Sequence, residues 1–202
     1  QGFETAMAQI CAEDLGTDYR RIRVVHGRTD RIDYGVGAHA SRATVLTGSA
    51  VSKTALKVRE KALEVASELL QTPADTLTIS DGVIHAKDHP TGPSVTLGEV
   101  AAALAPAAPT RGDRVPYLAA EEWFNIEHQT YPYGHHIAVV RVDRETGESV
   151  IEKYFIGYDI GRAINPMLIE GQLVGGLAQG IGGALYEEFT YNEQGEPLSV
   201  TF

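Results

Sequence analysis

Apolar residues recur at helical spacing in three stretches of the chain, and each stretch predicts an amphipathic helix. The first stripe ends before Gly16 and comprises Phe3, Met7, Ile10, Cys11 and Leu15. The second lies within residues 49–70, with charged residues on its other face, and comprises Val51, Ala55, Val58, Ala62, Val65 and Leu69. The third, predicted over residues 165–188, repeats leucine or isoleucine every four residues from Leu173 to Leu185.

The third helix is unusual because glycine interrupts it repeatedly. Asn165 and Pro166 suit its N-cap and first position, but six glycines follow: Gly171, Gly175, Gly176, Gly180, Gly182 and Gly183. Each interior glycine costs about 0.5–1 kcal/mol relative to alanine. A membrane span is disfavoured because glutamates flank a short apolar stretch that has no aromatic or basic anchors. We therefore expect a buried helix whose backbone closely approaches a ligand or a neighbouring backbone.

Strand-like stretches alternate with these helices. A hairpin is predicted around Asp81–Gly82, and Thr96 with Glu99 has the spacing of a capping box that begins a short helix. Residues rich in β-branched and aromatic side chains predict further strands over 21–26, 117–129, 136–143 and 149–158.

This order of elements predicts an α/β or α+β protein in which mixed sheets pack against helices in two lobes. A proline- and alanine-rich stretch without periodicity, residues 105–114, is the predicted linker. The first lobe then comprises residues 1–104 and the second residues 115–202.

The net charge and the cysteine content argue against several classes of function and of site. The 202 residues carry a formal net charge of −10, which argues against sequence-independent nucleic-acid binding. Cys11 is the only cysteine, so an internal disulfide and a cysteine-based metal cluster are excluded, and a reducing cytoplasmic location fits. No secretory leader is recognised, and we expect the chain to be part of a longer protein or a processed product.

The strongest local candidate for chemistry is GVGAHASRAT, residues 35–44, a small-residue loop that leads into a helix. Its backbone N–H groups and the helix N-terminus favour an anion, with Ser41 and Arg42 as added donors. The alternative is a loop whose glycines serve only turns. A Walker-type ending is absent, and Ser41 lacks the context of a nucleophile elbow. The seven histidines show no metal-binding spacing, and His135 and His136 point to opposite faces of a strand.

Three segments in the same order resemble the xanthine dehydrogenase and aldehyde oxidase family. They are QGFETAMAQICAEDLG, GVGAHASRATVLTGSAV and the stretch from Val142 to Leu198 that contains the glycine-rich helix. The resemblance implies a fragment of the second, two-lobed molybdopterin-binding region of the large subunit. The cofactor implied is a molybdenum–molybdopterin, in the cytosine dinucleotide form.

The resemblance also implies individual residue roles. Gln1 and Gly2 match a pair beside the cofactor, and Gln172 matches a glutamine that hydrogen-bonds it from the glycine-rich helix. The loop that holds the pterin and its phosphate matches Ala40, Ser41, Arg42 and Ala43. No catalytic residue and no metal ligand is expected within the chain. The family's general base, a glutamate in a Gly-Glu-Ser/Pro-Pro motif, should lie beyond Phe202, so Glu196 in the polar turn YNEQGEPL is expected to be a decoy.

The activity implied is hydroxylation of an aldehyde, an N-heterocycle or a related small molecule, with water as the oxygen source. Electrons would leave through iron–sulfur clusters to FAD on partner subunits or domains of an oligomeric enzyme. The alternatives are a carbon monoxide dehydrogenase large-subunit homologue and an isolated cofactor-binding module. The fragment alone should be inactive, because it carries only part of the cofactor shell.

Overall fold

The computed structural model describes residues 1–32 and 34–198, and these residues form two compact units. The first unit contains the described residues of 2–132, and the second contains residues 133–198 together with Gln1. The division lies between Pro132 and Tyr133, later in the chain than the predicted linker at 105–114. Residues 105–114 themselves belong to the first unit.

The first unit is built from three helices and a small antiparallel sheet. The helices are α1 (Phe3–Leu15), α2 (Ala43–Leu70) and α3 (Leu97–Ala103). The strands, in the order β1-β2-β3, are β1 (Leu77–Ser80), β2 (Val83–Ala86) and β3 (His89–Thr96). Single 3₁₀ turns lie at Tyr19–Arg21, Ala74–Thr76 and Pro109–Arg111.

The core lies between α2 and this sheet. Ala62 and Ala66 of α2 are both fully buried, and their small side chains let the helix approach the strands closely. Around them cluster Val65, Leu77, Ile79, Ile84, Val95, Val100 and Leu104. Ile84 pairs with Ile79 on one side and with Val95 on the other, so one face of the sheet is apolar as the alternation of strand side chains requires.

Helix α1 packs along α2 in the same direction. Gly48 of α2 is buried, and a Cβ there would lie 2.9 Å from Ile10 Cδ1. Further along, the Arg59 guanidinium donates to the Leu15 carbonyl at 3.2 Å. Gly16 ends α1 at φ +84°, and its carbonyl accepts the Gly82 N–H at 2.8 Å. A Cβ on Gly16 would lie 2.5 Å from the Ile79 carbonyl oxygen.

Two sequence predictions in this unit are confirmed. The hairpin β1–β2 turns at Asp81 and Gly82, both at positive φ, as the Asp-Gly pair predicts. The capping box at the start of α3 is complete: the Thr96 hydroxyl accepts the Glu99 N–H at 3.1 Å, and a Glu99 carboxylate oxygen accepts the Thr96 N–H at 2.7 Å.

Two predicted strands are wrong. Residues 21–26 contain the end of a 3₁₀ turn followed by irregular chain, and residues 117–129 form neither a helix nor a strand. The second stretch belongs to a segment, residues 114–130, that we call the strap. The strap contacts side chains of α2 rather than another strand, so its backbone has no ladder partner.

The second unit contains the strands β4 (Tyr133–Val142) and β5 (Ser149–Asp159) and the helix α4 (Pro166–Leu185). The strands form an antiparallel two-stranded ribbon with an irregularity at Val139–Val140. Apolar side chains are exposed on both faces, for example Ile137 and Phe155 on one face and Tyr158 on the other. A two-stranded ribbon of this kind is marginally stable by itself.

Helix α4 confirms the predicted glycine-rich helix, with the Asn165 side chain accepting the Leu168 N–H at 3.1 Å as its cap. The expected burial is not observed, because none of its described residues is buried within this chain. Leu173, Leu177 and Ile181 are half-buried on one stripe. In the described part of the chain, no helix combines the length and apolar character needed to cross a membrane.

The architecture confirms the predicted class in its α+β form. Both sheets of the described residues are antiparallel rather than mixed. Helices pack on the sheet in the first unit, as predicted.

The capping box of α3 generates a stability prediction. Thr96→Ala removes the cap and should lower the free energy of unfolding by about 0.5–2 kcal/mol. Glu99→Gln should keep most of the cap, because glutamine also accepts the Thr96 N–H. Chemical denaturation of the parent and both variants measures the difference.

The same pair generates a pH dependence. Hydrogen bonds from the Thr96 N–H and hydroxyl lower the pKa of the Glu99 carboxyl. Above the unfolded-state pKa, the ionised Glu99 carboxylate therefore adds to the free energy of unfolding. This addition is lost as pH falls through the lower folded-state pKa. Chemical denaturation between about pH 3 and pH 7 measures this. As pH falls, the free energy of unfolding should decrease less in Glu99→Gln than in the parent. Equal losses would contradict this role.

Candidate functional site

The loop at residues 35–44 leads directly into α2. The helix begins at Ala43, earlier than the sequence pattern indicated, with Arg42 as its N-cap residue. The Arg42 side chain makes no capping hydrogen bond. Because the first N–H groups of a helix have no intrahelical acceptor, those of Ala43, Thr44 and Val45 are directed toward whatever lies before the helix. This end of α2 is suited to an anionic or carbonyl-bearing ligand.

The backbone before this helix is strained. Ala40 and Ser41 are consecutive non-glycine residues at φ 53° and 55°. The Arg42 N–H closes a turn to the His39 carbonyl at 3.2 Å. Left-handed backbone at such residues persists only where surrounding contacts hold it, and it is concentrated at ligand-binding sites. Successive N–H groups in turns of this kind form anion-binding concavities.

Gly2 lies at the same end of the first unit as this loop. It is the N-cap residue of α1 at φ 70°. Because α1 and α2 run in the same direction, their positive dipole ends point the same way. At the start of α1, His26 Nε2 lies 3.0 Å from the Glu4 carboxylate, and its ring meets the Phe3 ring edge-to-face at 5.2 Å.

Gln172 lies on an open strip of α4, in the second unit. Gln1 belongs to the same unit. Gln172, Gly175, Gly176 and Gln179 follow at i, i+3, i+4 and i+7, and all four are exposed. No described atom outside the helix lies within 4 Å of a Cβ built on Gly171, Gly175, Gly176 or Gly180. The glycines therefore leave a bare backbone surface that carries two side-chain amides.

The remaining candidate groups show no reactive arrangement. Burial, and then the nearby Asp14 carboxylate, raise the pKa of the Cys11 thiol, which keeps it protonated and poorly nucleophilic. His136 Nδ1 contacts the Tyr154 hydroxyl at 3.2 Å, while His135 points to the other face of β4. Among residues 1–32 and 34–198, no group of three or more His, Cys, Asp or Glu side chains has a metal-binding arrangement.

Sequence reasoning missed one residue of this loop's environment. The Thr130 hydroxyl donates to the Ser41 carbonyl at 2.8 Å and lies 3.5 Å from the Ala40 carbonyl. The two contacting residues are 89 positions apart in sequence. A threonine in the polar stretch EHQTYPYG carries no local signal for such a contact.

Glu196 lies in a polar turn, as predicted. Its carboxylate accepts the Asn192 side-chain N–H at 2.8 Å, and its own N–H donates to Asn192 Oδ1 at 2.9 Å. Gly195 supplies the positive φ of the turn, 80°, and Glu196 is exposed. The carboxylate is therefore engaged with its own turn and hydrated.

Comparison with known proteins gives a consistent match over the whole chain. The model of the molybdopterin cofactor-binding domain family matches residues 1–202. The gamma subunit of the 6-hydroxypseudooxynicotine dehydrogenase complex of Paenarthrobacter nicotinovorans is 41% identical over 202 residues, which are 100% of this chain and 25% of that protein.

Solved structures agree with this match. Reconstituted CO dehydrogenase from Oligotropha carboxidovorans superimposes with a TM-score of 0.86 at 32% identity. Quinoline 2-oxidoreductase from Pseudomonas putida 86 does so with a TM-score of 0.82 at 32% identity. Each match covers 100% of this chain and 25% of the other, so the chain spans a quarter of the length of these relatives.

The geometry of Glu196 generates a prediction for the full-length protein. Glu196→Gln should leave kcat within about twofold of the parent across pH, whereas loss of a general base costs about 10²–10⁴ in rate. Steady-state rates as a function of pH measure this. A hundredfold loss together with disappearance of the acidic limb would place the base within this chain.

Proposed function

Because the chain belongs to the molybdopterin cofactor-binding domain family, we propose that it supplies part of the cofactor-holding shell of a larger molybdenum-dependent oxidoreductase. The chain spans 25% of its relatives' length, so the rest of the shell is contributed by the remainder of the large subunit. The observation that carries this proposal is the strained small-residue loop that opens onto the free N–H groups of α2.

The loop fits a pterin cofactor with a phosphate. Ala40, Ser41 and Ala43 are small, so they allow a ligand to approach the backbone, and the N–H groups at the start of α2 are donors for phosphate oxygens. Arg42 adds a positive charge whose side chain is not used as a helix cap. In this proposal the loop holds the phosphate and pterin, and Gly2 lets the chain pass close to the same ligand.

Gln1 and Gln172 supply side-chain amides to the cofactor. An amide carries both donors and an acceptor, which suits the mixed hydrogen-bonding edge of a pterin. Gln172 stands on the bare strip of α4, where the glycines leave room for a bulky ring system. This accounts for the glycine content of α4, because Cβ atoms on the strip would block the approach.

When bound, the cofactor supplies oxidative hydroxylation of an electrophilic carbon, with the oxygen taken from water. The role of this chain's residues is to bind and orient the cofactor. We propose an N-heterocycle or aldehyde as the substrate, supported by the similarity to quinoline 2-oxidoreductase and to the 6-hydroxypseudooxynicotine enzyme. Carbon monoxide is the second candidate, supported by the similarity to CO dehydrogenase.

We extend the proposal to the form of the cofactor, the electron acceptors and the assembly of the complete enzyme. The cofactor is the cytosine dinucleotide form, and iron–sulfur clusters and FAD on partner subunits or domains receive the electrons. The complete enzyme is an oligomer in the reducing cytoplasm, which suits a chain with a single cysteine. An isolated cofactor-binding module remains the alternative of a different class.

The first prediction of this proposal concerns the chain by itself. The purified 202 residues, mixed with cofactor and an artificial electron acceptor, should show no turnover of aldehydes, purines or carbon monoxide. The physical reason is that they hold only part of the shell. Reproducible molybdenum-dependent turnover by this chain would contradict the partial-site proposal.

The second prediction concerns Gln172. In the full-length enzyme, Gln172→Ala should leave a buried cofactor group unpaired, at a cost of about 1–3 kcal/mol in cofactor retention or transition-state stabilisation. Molybdenum occupancy and kcat/KM measure the loss. Gln194→Ala, the same change in the exposed turn that follows the helix, is the control and should resemble the parent. Parental values for Gln172→Ala would reduce Gln172 to a helix surface residue.

A further inference from the structure

The strap, residues 114–130, follows α2 over most of its length in the opposite direction. At one end Arg114 pairs with Glu68, near the C-terminus of the helix. Next, Lys61 Nζ donates to the Tyr117 carbonyl at 2.6 Å.

Further toward the start of α2, two more lysines of the helix continue this row. Lys57 pairs with Glu122, and Lys53 Nζ lies 5.2 Å from the centre of the Phe124 ring. These α2 lysines are four residues apart and therefore lie on one face of the helix. The strap is fixed to this face by contacts of three kinds: ion pairs, a carbonyl acceptor and an aromatic ring.

The strap ends at the strained loop. Thr130 contacts the carbonyl groups of Ser41 and Ala40, the two residues at positive φ. A trans peptide unit is planar, with its C=O and N–H pointing in opposite directions. Holding the Ala40 carbonyl toward the strap therefore turns the Ser41 N–H away from the strap. The hydrogen bond from the Thr130 hydroxyl thus helps to set the direction in which the Ser41 N–H points.

We propose that Thr130 is a positioning residue: its hydroxyl holds the Ala40–Ser41 backbone in the left-handed conformation that presents the loop N–H groups to the cofactor phosphate. This inference rests on the proposed cofactor role of the loop. Without the hydroxyl, the two residues relax toward ordinary backbone conformations, and the Ser41 N–H is no longer held pointing away from the strap. Thr130 itself touches no reacting atom.

The test uses the full-length enzyme with four substitutions. Thr130→Val keeps the shape of the side chain and removes its donor, whereas Thr130→Ser keeps the donor. Thr110→Val is the matched control, because the Thr110 hydroxyl also donates to a backbone carbonyl, that of Ala103 at 3.0 Å, away from the loop. Thr130→Ala is a second donor-free variant in case Thr130→Val does not fold.

Hydrogen exchange of the cofactor-free protein is the first readout. Exchange of the Arg42 amide, which donates to the His39 carbonyl within the loop turn, should be about two- to tenfold faster in Thr130→Val, the range expected for one net hydrogen bond. Thr130→Ser and Thr110→Val should match the parent there. Unchanged exchange in both donor-free variants would overturn the inference and leave the proposed function standing.

Molybdenum occupancy at limiting cofactor is the second readout, and it should fall by a similar factor only in the donor-free Thr130 variants. Faster exchange with parental occupancy would show that Thr130 holds the loop but that the loop does not hold the cofactor. That result overturns both the inference and the proposed loop role. An equal loss of occupancy in Thr110→Val would indicate general destabilisation and would also overturn the inference.

Discussion

The packing of α2 is the interaction on which the first unit depends. Its buried alanines, Ala62 and Ala66, bring the sheet close enough to form a core without bulky helix side chains. The lysine face of the same helix carries the strap, and its N-terminus carries the strained loop. A loop attached to a rigid helix that is packed on several sides keeps its donors in a defined place, as a site that must match a large cofactor requires.

Elements whose determinants are local could be predicted from the sequence. The Asp81–Gly82 turn, the capping box of α3 and the Asn165 cap each depend on residues within a few positions of one another. The stretches 21–26 and 117–129 have β-propensity, but a strand exists only where a second strand pairs with it. The strap contacts lysines of α2 instead, and its contacts with α2 and with the loop before it join residues 46 to 89 positions apart.

The candidate site divides in the same way. The loop was identifiable because small residues before a helix are a local pattern, whereas Thr130 has no signal of its own. The existence of α4 followed from its periodicity and cap, but its burial did not, because burial depends on neighbours. The exposed ribbon and the bare strip of α4 belong to a chain that spans 25% of its relatives' length.

The packing at Gly16 affects how a conserved glycine at this position in related proteins should be interpreted. Its positive φ and the 2.5 Å distance from a built Cβ to the Ile79 carbonyl oxygen leave no room for a side chain. Every other amino acid has a Cβ, so no amino-acid replacement at this position avoids the clash. An invariant glycine at position 16 in related proteins would accordingly reflect the close packing where the end of α1 meets the β1–β2 hairpin. It would look like the invariance of a ligand-binding glycine although packing against Ile79 is its cause.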